Sequence, residues 1–194
     1  MPEAFSNEGY KTEIINGKKI IMMSPPFSNH NVVKGNIYQI FRSYLRGNIC
    51  IVFPDGQKLV LENNDGYVVP DLFVLCDRAK FKKDGVYGAP DLVVEIISPR
   101  SRKYDRGDKK DLYQNAGVGE YWIVEPDERS IEVYLLKDGL YVLDGVYRIP
   151  DEKEDAEDKE KEPKEFKVNL FQDMTVSLDD VFENVVLNWS TWGM

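Results

Sequence analysis

Apolar residues recur along this chain in two periods, and the changes between them lay out its elements. Residues 10–23, YKTEIINGKKIIMM, are two short apolar-rich runs around Asn16-Gly17. That dipeptide tolerates the positive φ of a type I′ turn, so the stretch predicts an N-terminal hairpin. After Ser24-Pro25-Pro26 the spacing lengthens, and Val33, Ile37, Ile40, Phe41, Tyr44 and Leu45 fall on one side of a helix over 29–46. Ser28 or Asn29 serves as its cap and Gly47 as its stop. The extended rhythm returns in CIVFPD, KLVLEN and GYVVPDLFVLCD (50–77), with Asn64-Asp65-Gly66 joining the last two as a hairpin. A polar loop over 78–90 leads into the strand DLVVEIIS, and a helix from about Lys103 to Ala116 ends at Gly117. GEYWIVEP, SIEVYLLKDG and 140–149 read as further strands, and FKVNLFQDMTVSLDDVFENVV as a strand and a short helix.

The order of elements predicts an α/β (α+β) fold, and 194 residues with 42% hydrophobic content suit one domain, 1–194. Apolar runs are much shorter than the ~18 residues of a spanning helix, and the start shows no basic region followed by a hydrophobic one. A soluble, cytoplasmic protein without a membrane partner is the expectation. Cys50 and Cys76 sit in apolar runs without CxxC spacing, which favours buried reduced thiols over a disulfide or a zinc site. His30 is the single histidine, which argues against a His-based metal site or triad.

Charge changes the picture because it is uneven. The net charge is −9, yet residues 151–165 hold nine acids against four lysines, while 78–110 holds ten Lys or Arg against five acids. The acidic run has almost no apolar residue and predicts a mobile loop or a short solvated helix. The basic stretch surrounds two carboxylates placed where carboxylates are unusual. In the strand 91–98, Asp91, Val93, Glu95 and Ile97 share a face, so Glu95 lies mid-strand among aliphatic residues. Asp71 lies inside the neighbouring apolar strand, next to Pro70, which cannot donate to a ladder. An ionised carboxylate in such a place is exposed at a cleft, paired, or metal-bound; an edge strand with Glu95 facing water is the plainer alternative.

On the following helix Asp105, Lys109 and Tyr113 repeat every four residues, so Lys109 can point back at the strand. The alternative is an exposed lysine with Asp105 as an i,i+4 neighbour. Two carboxylates on neighbouring strands and a nearby lysine are the parts of a metal-dependent phosphodiesterase site. Asp71 and Glu95 would hold Mg²⁺, with Mn²⁺ as a substitute, and Lys109 would orient or help deprotonate the attacking water. Asp91 lies roughly 13 Å from Glu95 along an extended strand and anchors the loop instead. His30, in the first turn of its helix, is either a capping or exposed residue or an auxiliary of the site.

The stretches EIINGKKIIMMSPP, VVPDLFVLCD, GAPDLVVEIISPRSRKYD and KKDLYQNAGVGEYWIVEP, with the helix opened by His30, resemble the Uma-two family of restriction endonucleases, a branch of the PD-(D/E)XK nuclease superfamily. The resemblance implies a restriction-endonuclease-like core of helix, three strands, helix and strand over 29–126, with the hairpin and the C-terminal strands added. It puts the motif aspartate on Asp71 and the next acid on Glu95. The lysine of the general motif, two residues after the acid, is here Ile97, and Lys109 fits the displaced position better than Lys110, about 100° further round the helix. DNA is the implied substrate, with Arg100, Arg102, Lys103 and Arg106 as candidate phosphate contacts, Tyr113 as an auxiliary, and a homodimer as the assembly for a double-strand break. The competing readings are a nuclease-fold binding or accessory module of mobile-element or defence systems, inactive or dependent on a partner, and a protein-interaction domain using Trp189 and Trp192.

Overall fold

The computed structural model describes residues 11–15, 17–22, 28–62, 64–98, 101–150 and 163–187. Most of the acidic run, both late tryptophans and Arg100 lie outside them. In chain order the elements are β1 (Lys11–Ile15), β2 (Lys18–Met22), α1 (Ser28–Tyr44), β3 (Ile51–Pro54), β4 (Leu59–Val60), β5 (Leu72–Leu75), β6 (Phe81–Lys82), β7 (Gly85–Tyr87) and β8 (Leu92–Ile96). There follow α2 (Arg102–Arg106), α3 (Asp108–Ala116), β9 (Glu120–Glu125), β10 (Ser130–Lys137), β11 (Leu140–Arg148), β12 (Glu165–Lys167), β13 (Thr175–Ser177) and a last helical turn, Leu178–Val181.

Six strands form the central sheet in the order β11-β10-β9-β8-β5-β3. Only β8 and β9 run parallel in it, because α2 and α3 make the crossover between them; the other neighbours are antiparallel. Alternation along the strands splits the core into two layers. Leu72, Val74, Leu92, Val94 and Trp122 face α1, whose Val33, Ile37 and Phe41, continued by Leu45 just past its end, are the stripe that the 3.6-residue period predicted. Burying each such side chain contributes about 1.5–3 kcal/mol, which is enough to seat the helix without strong intrinsic propensity. Phe73, Val93, Tyr121 and Ile123 face the other way, under Leu112 and Tyr113 of α3 and the small sheet made by β4, β7 and β6. Among the described residues no helix is long and apolar enough to cross a membrane.

The predicted hairpin is present as β1 and β2, with Ile15 opposite Lys18 and Gly17 at φ +73°. Four expectations need correction. The helix expected over Lys103–Ala116 is two helices, since at Gly107 (φ −115°, ψ −103°) a Cβ would lie 2.9 Å from the Lys103 carbonyl oxygen. Glycine at that position lets the chain re-aim α3 without losing the register of its inner face. The loop expected over 78–90 contains a 3₁₀ turn, Arg78–Lys80, capped by Asp77, and then the hairpin of β6 and β7. The C-terminal stretch contributes two strands before its helical turn, β12 pairing with β13.

The fourth correction concerns the cysteines, which are joined as a Cys50–Cys76 disulfide. In the β3–β5 ladder Ile51 opposes Leu75, so the next pair outward is Cys50 and Cys76, with Cα atoms 3.9 Å apart. Strand register created this proximity, and a sequence separation of 26 does not reveal register.

Candidate active site

The ladder between β5 and β8 pairs Leu72 with Val94. That is the ladder's last pair, and the next residues outward on the two segments are Asp71 and Glu95. Asp71 is just ahead of β5 rather than inside it, because Pro70 has no N–H with which to continue the ladder. Its Oδ2 accepts the Ile96 N–H at 2.9 Å, so a side-chain oxygen takes the donor at the end of β8. His30 Nε2, from the first turn of α1, lies 3.2 Å from the same oxygen. Glu95 Oε1 accepts from Lys109 Nζ at 3.0 Å and from the Tyr113 hydroxyl at 2.7 Å. The edge-strand reading of Glu95 does not hold, since β8 lies between β5 and β9 and Glu95 is 2% exposed.

Helical geometry assembles the cationic side. Asp105, Lys109 and Tyr113 converge on one face despite the break at Gly107, and the Tyr121 hydroxyl of β9 ties α2 in place by donating to the Asp105 carbonyl at 2.9 Å. Lys109 is 1% exposed, not the surface lysine of the plainer reading. Besides Glu95, its ammonium lies 3.2 Å from Glu13 Oε2 and 3.5 Å from Asp105 Oδ1. Glu95 accepts a hydrogen bond from it, while the facing oxygens of Glu13 and Asp105 are ion-pair partners without one.

Burial pushes the Lys109 pKa down, but Glu13, Glu95, Asp105 and Asp71 push it up by more, so it stands well above the ordinary lysine value. Lys109 is therefore held as a cation that offers hydrogen bonds and gives up a proton less readily than an ordinary lysine. Burial raises the Asp105 carboxyl, and Lys109 offsets that only in part. Burial first, then the neighbouring Glu95, hold the Tyr113 phenol well above its usual value, leaving it a neutral donor.

The other residues singled out in the sequence fall elsewhere. Asp91 Oδ2 accepts the Cys76 N–H at 2.7 Å, an anchoring role at the far end of β5. Lys110 points away from Glu95, with its ammonium 3.6 Å from the centre of the Tyr134 ring. Arg102 and Arg106 both pair with the buried Glu125, Arg102 reaching Glu128 as well and Arg106 reaching Glu132. Those guanidinium groups are thus already partnered within the chain, while Lys103 is exposed. Sequence reasoning missed Glu13, which is fully buried in β1. Its strand, KTEII, also holds Lys11 and Thr12, so it lacks the apolar surroundings that singled out Glu95.

Asp71 and Glu95 fit a hard divalent cation of the Mg²⁺ kind, which takes one or two carboxylates and completes its shell with water and substrate oxygens. Among the described residues no group of three or more His, Cys, Asp or Glu is arranged to hold a metal ion, so Asp71 and Glu95 would be its two protein ligands. The pocket nevertheless buries Glu13, Asp71, Glu95 and Asp105 around one lysine. That excess of negative charge favours a cation.

Helix, three strands, helix and strand, taken as α1, β3, β5, β8, α2 with α3, and β9, with paired acids across the middle of the sheet, are the restriction-endonuclease-like class of nuclease fold. The fold matches a crystal structure described as a putative nuclease belonging to DUF820 from Anabaena variabilis, with a TM-score of 0.68 over 94% of this chain and 93% of that one, at 22% identity. The chain belongs to the Uma2 family, described as putative restriction endonuclease, which it matches over residues 1–169. An uncharacterized protein of Synechocystis sp., slr1290, is 32% identical over 125 residues, 64% of this chain and 65% of that protein, so the match spans less than two thirds of the relative's length.

Proposed function

We propose that this protein is a metal-dependent endonuclease that hydrolyses DNA phosphodiester bonds, with Asp71 and Glu95 holding Mg²⁺ and Lys109 acting beside them. The observation that carries this reading is the Asp71 carboxylate bonded to the Ile96 N–H, next to Glu95, with the Lys109 ammonium 3.0 Å from Glu95. When bound, the ion lowers the pKa of a coordinated water and offsets charge on the phosphate. The protein's own groups supply the rest. His30 and the Ile96 N–H fix the Asp71 carboxylate, and Tyr113 fixes that of Glu95. Lys109, 3.0 Å from Glu95, donates to the attacking water or to a phosphate oxygen. Exposed Lys103 is a candidate phosphate contact, and Arg102 and Arg106 can join it only by exchanging their glutamates for phosphate. Two copies acting together would account for a double-strand break.

Supercoiled plasmid incubated with Mg²⁺ or Mn²⁺ tests this reading. Nicking that stops in EDTA and in Glu95→Gln supports it, and nicking unchanged by Glu95→Gln rules out the site. A second reading is favoured by one observation, that Lys109 is 1% exposed behind three carboxylates. On it, the chain is a nuclease-fold accessory module that binds nucleic acid without cutting it, and metal-dependent cleavage would be absent on double-stranded, single-stranded and branched DNA alike.

A further inference from the structure

The N-terminal hairpin looks like an addition to the core, yet it delivers a charged side chain to the centre of the site. Glu13 is fully buried, and its two oxygens serve two different elements. Oε1 accepts the Val69 N–H at 2.8 Å, two residues ahead of Asp71, while Oε2 lies 3.2 Å from the Lys109 ammonium. The strand that carries it is set firmly. Ile14 N–H donates to the Tyr67 carbonyl at 2.8 Å, and the Asn64 amide donates to the Ile14 carbonyl at 2.9 Å. Gly66 lies so close beneath β1 that a Cβ there would come within 2.4 Å of the Ile14 oxygen.

We propose that Glu13 is a positioning residue of the catalytic site, holding the Lys109 ammonium in place from the hairpin so that Glu95 can give up its share of that charge to a metal ion. The proposal rests on the nuclease reading above. Lys109 has three carboxylate partners at 3.0, 3.2 and 3.5 Å, and the one at 3.0 Å, Glu95, is also the residue assigned to the metal. If Glu95 turns its charge to the ion, Glu13 and Asp105 remain to keep the long lysine side chain where it is. Asp105 is on the adjoining helix, four residues before Lys109. Glu13 comes from a separate element and joins the helix to the segment bearing Asp71. The hairpin is on this view part of the active site.

The test reads the lysine directly. A buried ammonium exchanges slowly with water and gives a ¹H–¹⁵N signal that solvated lysines do not, and loss of that signal in Lys109→Arg assigns it. Wild type, Glu13→Gln and Asn64→Ala are compared with and without Mg²⁺, each checked for fold by near-ultraviolet circular dichroism. Glu13→Gln keeps the size of the side chain and an acceptor for Val69, and removes the charge; it is expected to shift or broaden the signal away. Asn64→Ala loosens the hairpin without touching Lys109, and is expected to retain the signal. A signal unchanged in Glu13→Gln, or lost equally in Asn64→Ala, overturns the proposal. Should Glu13→Gln fail to fold, Glu13→Asp keeps the charge one methylene short of Lys109, and an unchanged signal there overturns it equally. In plasmid nicking, Glu13→Gln is expected to lower kcat at least about ten-fold with KM nearly unchanged, as for a misplaced catalytic group. If wild type does not nick DNA, the nuclease reading fails, while the ammonium signal still decides whether Glu13 positions Lys109.

Discussion

Replacing Lys109 with methionine removes one positive charge from a pocket that contains Glu13, Asp71, Glu95 and Asp105, all between 0% and 5% exposed. Methionine fills the same volume, so the change is electrostatic more than steric. Breaking a buried ion pair by deleting one partner destabilises a protein by about 3–5 kcal/mol. At about 2–4 °C per kcal/mol for a chain of this size, Tm should fall by roughly 6–20 °C. The loss should depend on pH, and its sign follows from Asp105. Its carboxyl is raised above 3.8 by burial, and Lys109 is the first group lowering it, so without Lys109 it rises further. A carboxyl raised in the folded state binds more protons there than in the unfolded chain, so stability falls as pH climbs through the window above 3.8. The variant should therefore be closer to wild type at acidic pH than at pH 8. Divalent cations should restore it in part, by about 2.7 kcal/mol at a hundred times the dissociation constant. Differential scanning calorimetry over that pH range, with EDTA or with Mn²⁺, makes the comparison. A variant whose Tm at pH 8 in EDTA lies within about 2 °C of wild type would refute the claim that Lys109 neutralises a buried acid cluster.

Glu120→Ala should destabilise the fold by about 2–4 kcal/mol in urea titrations, because the Trp122 indole N–H and the Asn169 and Leu170 N–H groups all lose their acceptor; metal-dependent cleavage at 20 °C should be spared. Gly66→Ala should displace β1, since a Cβ would meet Ile14, and amide exchange in Lys11–Ile15 should accelerate while α1 stays protected. The non-reduced protein should show no free thiols on unfolding, and opening the Cys50–Cys76 bond should lower stability by up to about 3–4 kcal/mol for a loop closed across 26 positions. Two reactive thiols in the non-reduced, unfolded protein would contradict that bond.

Periodicity made much of this fold legible in the sequence. The α1 stripe, the alternation through Glu95 and the four-residue repeat of Asp105, Lys109 and Tyr113 are local patterns, and each survives in the structure because burial selects one face of an element. Pairings between distant segments were not legible. Glu13 reaches Lys109 across 96 positions of sequence, and no period in either segment points to the other. The Cys50–Cys76 bond depends on the register of β3 against β5, and the partners of Arg102 and Arg106 on the crossover that brings α2 over β9 and β10. Local backbone chemistry accounts for two finer differences. Pro70 ends the ladder, so Asp71 bonds the Ile96 amide from just outside the strand, and Gly107 divides a helix whose side-chain repeat reads as continuous.

Anomalous diffraction from crystals soaked in Mn²⁺ tests the central claim most directly, because it locates the ion without a choice of substrate. A peak within about 2–2.5 Å of oxygens from both Asp71 and Glu95, absent from Glu95→Gln crystals, is the predicted result. A peak only at other acids, or none beside Asp71 and Glu95 at saturating Mn²⁺, would contradict it.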